Sequence, residues 1–210
     1  MTAFELLDAI GVFVFALSGG LAASRQKMDF FGIGVVALLP AIGGGTLRDL
    51  LLDREVFWLQ EPRSILVALA AAGASYLIGE RIARFKTLLW FDAAGMALFA
   101  VTGAAVAFEA GYGPIIVVMM GTMTASFGGL LRDIVCNEIP LILREDIYAT
   151  AALIGAGAYR GAETFGAPDI WPLIIGFGVA FGIRAAVLIM RDIRPRLERS
   201  QLPANRNDPS

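Results

Sequence analysis

Seven stretches of this chain are apolar for long enough to cross a bilayer or nearly so, at about 5–24, 30–52, 64–80, 88–108, 114–136, 147–163 and 169–190. A crossing helix needs about 20 mainly apolar residues. In hydrocarbon every backbone N–H and C=O must be satisfied within the chain, so only helices and closed barrels cross, and stretches of this length are helices. The expectation is an all-α polytopic membrane protein with seven transmembrane helices, one domain over 1–190. The third and sixth stretches are short and rich in Ala and Gly, which suits helices packed inside a bundle. The polar segment 191–210 ends rich in Pro, Asn and Ser, and a disordered tail is expected there.

Composition excludes most other chemistry. The chain is 57% hydrophobic and 17% charged, with a mean hydropathy of +0.70. A soluble domain carries about 25% charge. There is no histidine and one cysteine, Cys136. Ser-His-Asp and Cys-His catalysis, His-ligated zinc and disulfide frameworks are therefore excluded. Cys136 reads as a small, inert apolar residue. A net charge of −2 argues against a nucleic-acid partner. No cofactor is expected, and no metal beyond ions in transit.

The N-terminus carries Glu5 and Asp8 where a signal peptide would be basic, so it reads as the first retained helix. Arg25 and Lys27, then Arg81, Arg84 and Lys86, then Arg144, then the tail arginines mark one side of the membrane; Arg54, Arg63 and Arg160 are the sparse cations of the other. The positive-inside rule places the N-terminus outside and the C-terminus in the cytoplasm. Trp58, Trp90 and Trp171 lie near span ends, as an interfacial belt would have them. Arg184 is read as snorkelling toward the cytoplasm.

Set against itself, the chain matches at an offset of 84 residues without a gap. Asp8, Gly11, Phe15 and Gly19 fall on Asp92, Gly95, Phe99 and Gly103. Gly44, Gly45, Leu47, Arg48 and Asp49 fall on Gly128, Gly129, Leu131, Arg132 and Asp133. Shared charges carry the weight, because charges are scarce. Each repeat, about 5–80 and 88–163, holds three stretches. Three is odd, so the second copy enters the membrane from the opposite side. The architecture read here is two inverted three-helix repeats plus a seventh helix at 169–190, with a permeation or binding site at the repeat interface.

Pro40 and the run Gly43-Gly44-Gly45 weaken the second stretch, and Gly128-Gly129 mirror that run in the fifth. One reading is that these glycines only let helices pack closely. Their recurrence beside charges favours the other, an opened coil whose carbonyls face a wet pathway. Thr46, Thr122, Thr124 and Ser126 would add hydroxyl oxygens to it, replacing part of a monovalent cation's hydration shell. Arg48, Asp49, Arg132 and Asp133 border the same pathway as gate or as interhelical clamp, since such charges face a bundle interior. The expected ion pairs are Asp8–Arg48 at the outer end and Asp92–Arg132 at the inner end, or the same charges with partners exchanged within each layer. Adjacent Arg and Asp point about 100° apart on a helix, so each is expected to take a separate role.

GGGTLRDLLL (43–52), FGGLLRDIV (127–135) and REDIYATAALIGAGAY (144–159) resemble the bacterial branch of the trimeric intracellular cation (TRIC) channel family, over about residues 5–190. The resemblance implies a homotrimer in the bacterial inner membrane. It also implies an hourglass pore within each protomer that passes K⁺ better than Na⁺. Gly43, Gly44, Gly45, Gly128 and Gly129 would be the kinks of the two pore-lining helices, with Thr46 and Ser126 beside them. Animal members carry a lysine motif in the second helix that engages phosphoinositide. This chain has Thr46-Leu47-Arg48-Asp49 there, so that form of lipid regulation is not expected.

The leading expectation is a passive monovalent-cation channel, modestly selective because there is no TVGYG-type filter. The alternative is a secondary transporter of a small solute such as glycine, whose carboxylate would be held by helix N-termini and an arginine. Enzymatic activity is not expected. Asp49 and Asp53 are the nearest approach to a carboxylate pair, and aspartyl catalysis needs two carboxylates sharing a proton.

Overall fold

The computed structural model describes residues 3–82, 85–144 and 147–201. The described residues are all-helical: α1 (Ala3–Arg25), α2 (Phe30–Leu51), α3 (Phe57–Gln60), α4 (Arg63–Ile82), α5 (Phe85–Glu109), α6 (Pro114–Val135), α7 (Leu141–Arg144), α8 (Ala149–Thr164) and α9 (Trp171–Gln201). The long helices lie at the seven apolar stretches. Five of them, α1, α2, α5, α6 and α9, are long and apolar enough to cross a membrane. Phe31, Leu66, Leu77, Ile115 and Phe165 point outward and are largely exposed. Such a surface is a liability in water and ordinary against lipid.

Local signals set the ends. Asp29 caps α2 by accepting from the Gly32 N–H at 2.7 Å. Pro114 opens α6 at its first turn, where its missing N–H costs nothing. Past α1 and α5 the chain turns at Lys27 and Gly111, with φ of 55° and 81°; past α2 and α6 it turns at Asp53 and Asn137, at 52° and 53°. Both pairs stand 84 residues apart.

The interior obeys the same offset. The buried stripe of α2 is Ile33, Val36, Ala37, Pro40, Ala41, Gly44, Gly45, Arg48 and Asp49. That of α6 contains Val117, Met120, Gly121, Thr124, Ala125, Gly128, Gly129, Arg132 and Asp133. These are the same positions moved by 84, with steps of three and one that mark one face of an uninterrupted helix. α5 sits centrally against α1, α6, α8 and α9, and α2 crosses α6. At the α1–α5 crossing, Phe15 packs edge-to-face on Phe99, rings 5.4 Å apart. Gly11 makes room for Phe99 and Gly95 makes room for Phe15.

Two expectations are corrected. The coil does not open at Gly43–Gly45 or at Gly128–Gly129: α2 and α6 are helical through both runs. The glycines serve close approach instead. A Cβ on Gly44 would strike the Thr124 carbonyl, and one on Gly128 would stand 2.9 Å from Pro40 Cα. Pro40 and Thr124 are themselves offset partners, so the α2–α6 crossing is one contact made twice. Lipid supplies no replacement for a broken backbone hydrogen bond, so an intact helix that gains contact is favoured there. The second correction is that α9 runs through Gln201 rather than ending near 190. Arg, Leu, Glu and Gln are good helix formers and extend a coil already nucleated. The rest of the expected disordered tail, 202–210, lies outside the described residues.

Gly44→Ala and Gly128→Ala are expected to cost about 1–3 kcal/mol each by overpacking, read as a lower Tm in detergent. Gly34, with nothing within 4 Å of an added Cβ, is the control. Gly34→Ala should hold or raise Tm, and equal behaviour of all three would remove the crossing as the cause.

Candidate functional site

Both buried stripes end in Arg-Asp, and both pairs fold the same way. The arginine curls back on its neighbour: Arg48 Nε donates to Asp49 Oδ1 at 2.8 Å, and Arg132 Nε to Asp133 Oδ1 at 2.8 Å. Arginine and aspartate are thus joined to one another although adjacent positions point about 100° apart. The arm of an arginine is long enough to close the angle between adjacent positions. The second aspartate oxygen is also used. Asp49 Oδ2 accepts from the Phe57 N–H and Asp133 Oδ2 from the Leu141 N–H, both at 2.9 Å. Each aspartate thus caps the one-turn helix after it, α3 or α7. Composition does not show this. The spacing of eight residues from aspartate to helix start, repeated in both halves, is the signal that does.

Beyond this shared frame the two ends differ. In one layer Arg132 Nη1 reaches Asp92 Oδ1 at 2.6 Å and also bonds Ser18 Oγ. Arg132, Asp92 and Ser18 are fully buried. Gly129 leaves the space they need: a point one Cβ away from it lies 3.1 Å from the Tyr148 hydroxyl, 3.5 Å from Asp92 Oδ1 and 3.8 Å from Arg132 Nη2. Arg184 closes the group from α9. Its guanidinium lies 5.0 Å from the Tyr148 ring centre, and its Nη1 donates to the Ile147 carbonyl at 3.0 Å. It is fully buried, so the snorkelling expectation is corrected. Tyr148 and a carbonyl offer it a partner indoors.

In the other layer the equivalent bonds are not made. Among the described residues no ion pair joins Asp8 to Arg48. Thr102, the offset partner of Ser18, is buried and its hydroxyl lacks a hydrogen-bond partner. Arg48 instead lies near the Phe57 ring, 5.8 Å from its centre. Gly45 is the close approach that admits this ring. Between Asp8 and Arg48–Asp49 lies a cavity of about 360 Å³, lined also by Phe4, Arg54, Glu55 and Gln60.

The hydroxyls are largely committed to their own helices. Thr46, Thr122, Thr124 and Ser126 each donate to the carbonyl four residues back, at 2.7–2.8 Å. Thr124 is buried against Gly44 and Gly103. Thr46 accepts from the Trp58 indole N–H at 2.9 Å, with Trp58 half-buried. Gly43 is half-buried beside Leu131. Cys136 is buried at the end of α6, its N–H on the Arg132 carbonyl at 2.9 Å. Sequence reasoning missed Ser18, Tyr148 and the inward Arg184. A lone hydroxyl or aromatic in an apolar helix carries no mark of the charge it meets.

Comparison with known proteins gives this arrangement relatives. The family model described as "Glycine transporter" matches the chain twice, at residues 5–80 and 89–163, two segments whose starts are 84 residues apart. The Escherichia coli UPF0126 inner membrane protein YadS is 39% identical over 186 residues, 87% of this chain and 90% of its own. A UPF0126 membrane protein of Deinococcus radiodurans is 44% identical over 156 residues, 72% of this chain and 73% of its own. Among solved structures, the TRIC trimeric intracellular cation channel orthologue from Rhodobacter sphaeroides superposes with a TM-score of 0.88 at 45% identity, covering 91% of this chain and all of that one. A prokaryotic TRIC channel superposes at 0.83 with 28% identity, over 90% of this chain and 97% of its own. This chain belongs to that family, as a bacterial member of the TRIC channels.

Proposed function

We propose that the protein is a monovalent-cation channel of the bacterial inner membrane, passing K⁺ in preference to Na⁺, with a conduction path in each protomer of a homotrimer. Its seven long helices span the membrane as two inverted three-helix repeats plus α9, with the N-terminus outside. The path follows α2 and α6 between the two Arg-Asp layers, past Gly43, Thr46, Thr122 and Ser126. The observation that carries this reading is the 45% identical cation-channel orthologue, matched over 91% of the chain. The geometry agrees with it: the Asp8 end opens into a cavity, the Asp92 end is filled, and the α2–α6 crossing lies between them. Helix-continuous carbonyls are spent within α2 and α6, so side chains and the separation of these two helices set the passage.

Asp8 is the carboxylate that draws cations into the mouth. The cavity sets Asp8, Asp49 and Glu55 against Arg48 and Arg54, which leaves one negative charge to focus cations. The net charge of the chain, −2, adds little at that range.

Purified protein in planar bilayers is expected to give unitary K⁺ currents, larger than those in Na⁺; none at any voltage or Ca²⁺ level would end the reading. Asp8→Asn should reduce K⁺ conductance at about 0.01 M salt, where the screening length is about 30 Å, and match the native channel near 1 M, where it is about 3 Å. A loss independent of salt would remove Asp8 as the focusing charge.

A further inference from the structure

The two layers form a natural comparison. Asp8, Arg48, Asp49 and Thr102 repeat as Asp92, Arg132, Asp133 and Ser18 at the 84-residue offset. Equivalent groups should make equivalent bonds, yet Arg132 holds Asp92 and Ser18 while Arg48 holds neither counterpart. Two residues packed at the closed layer have no like counterpart in the other. Tyr148 stands where the other layer has Ser64. Arg184 comes from α9, which lies outside both matched segments and so has no counterpart.

We propose that Arg184 is the lock of the filled end: stacked on Tyr148, it holds that ring against the Asp92–Arg132 pair and balances its charge. Asp92 and Asp133 are matched there by Arg132 and Arg184, leaving the layer neutral and without attraction for a cation. The other layer keeps one unmatched carboxylate and opens into a cavity. Pairing Arg184 with the Tyr148 face and the Ile147 carbonyl ties α9 to the start of α8. A shift of α9 therefore withdraws the lock without breaking any helix. Arg184 is thus a positioning residue for the closed state, and the helix added to the repeats is what makes the two ends unlike.

This inference rests on the conduction reading, so its test has a readout that does not need current. Cys136, buried one turn past Arg132 and the only cysteine, reports access to this end. Full-length Arg184→Gln, Arg184→Met and Arg184→Lys would be compared with the native protein in lipid nanodiscs and planar bilayers. A small water-soluble thiol reagent should modify Cys136 about tenfold faster in the Gln and Met variants, the shift expected from losing a coupling of ordinary size. The Lys variant, which keeps the charge, should stay protected. Arg184→Met leaves the Ile147 carbonyl without its donor and the layer one cation short, so its Tm is read beside its labelling rate. A maintained Tm with faster labelling separates a lock from a brace. K⁺ open probability should rise in the same two variants. Native protection of Cys136 in both neutral variants, or equal exposure in all three, overturns the proposal. Faster labelling with no current in any protein upholds the lock and removes the channel instead.

Discussion

The crossing of α2 and α6 is the contact on which the rest depends. Gly44 presses on the backbone at Thr124 and Gly128 on the backbone at Pro40, so the two helices touch main chain to main chain at two related points. In lipid, association draws on packing and interhelical hydrogen bonding, because lipid tails are as apolar as leucine. Only residues without a Cβ permit this approach. Everything beyond the crossing inherits its register: Arg48–Asp49 and Arg132–Asp133 lie one turn past Gly44 and Gly128 on the same stripes. A helix opened at the glycines would have turned those charges off the buried face.

Charge in this interior is handled locally. Arg48 and Arg132 are each bonded by the aspartate next to them, and each of those aspartates spends its remaining oxygen on the first N–H of a one-turn helix. The cost of burying a charge is offset where partners satisfy its remaining protons and lone pairs. A pair made within one helix also survives movement between helices. What remains variable is the third bond of each arginine, to Asp92 and Ser18 in one layer and absent in the other. That bond crosses from α6 to α5 and α1, so it is the one that senses how those helices sit.

Much of the fold was legible because hydropathy and repetition are properties of the chain itself. The seven stretches coincide with the seven long helices, and the offset read from Asp8, Gly44 and Arg48 recurs in stripes, turns and crossings. The site was legible only in part. Arg132 and Asp92 meet, whereas Asp8 and Arg48 do not, although the repeat treats them alike. Glycine was misread as a break because propensity describes an isolated helix, and in lipid the neighbour decides. Arg184 was misread because hydropathy places a cation by its depth along a helix and says nothing of the face it occupies.

The difference between the layers bears on how the proposed inverted repeat would act as a one-ended gate. Two identical ends would open and close with equal energies, and both would be held or both released. An extra helix is the least change that breaks the tie. α9 supplies one cation, and Tyr148 at the mouth of α8 supplies the surface on which it rests. α9 thus adds to one layer a cation that the other lacks, although Asp8, Arg48 and Asp49 answer to Asp92, Arg132 and Asp133. In the proposed channel that difference is what lets one mouth gather cations while the other stays filled.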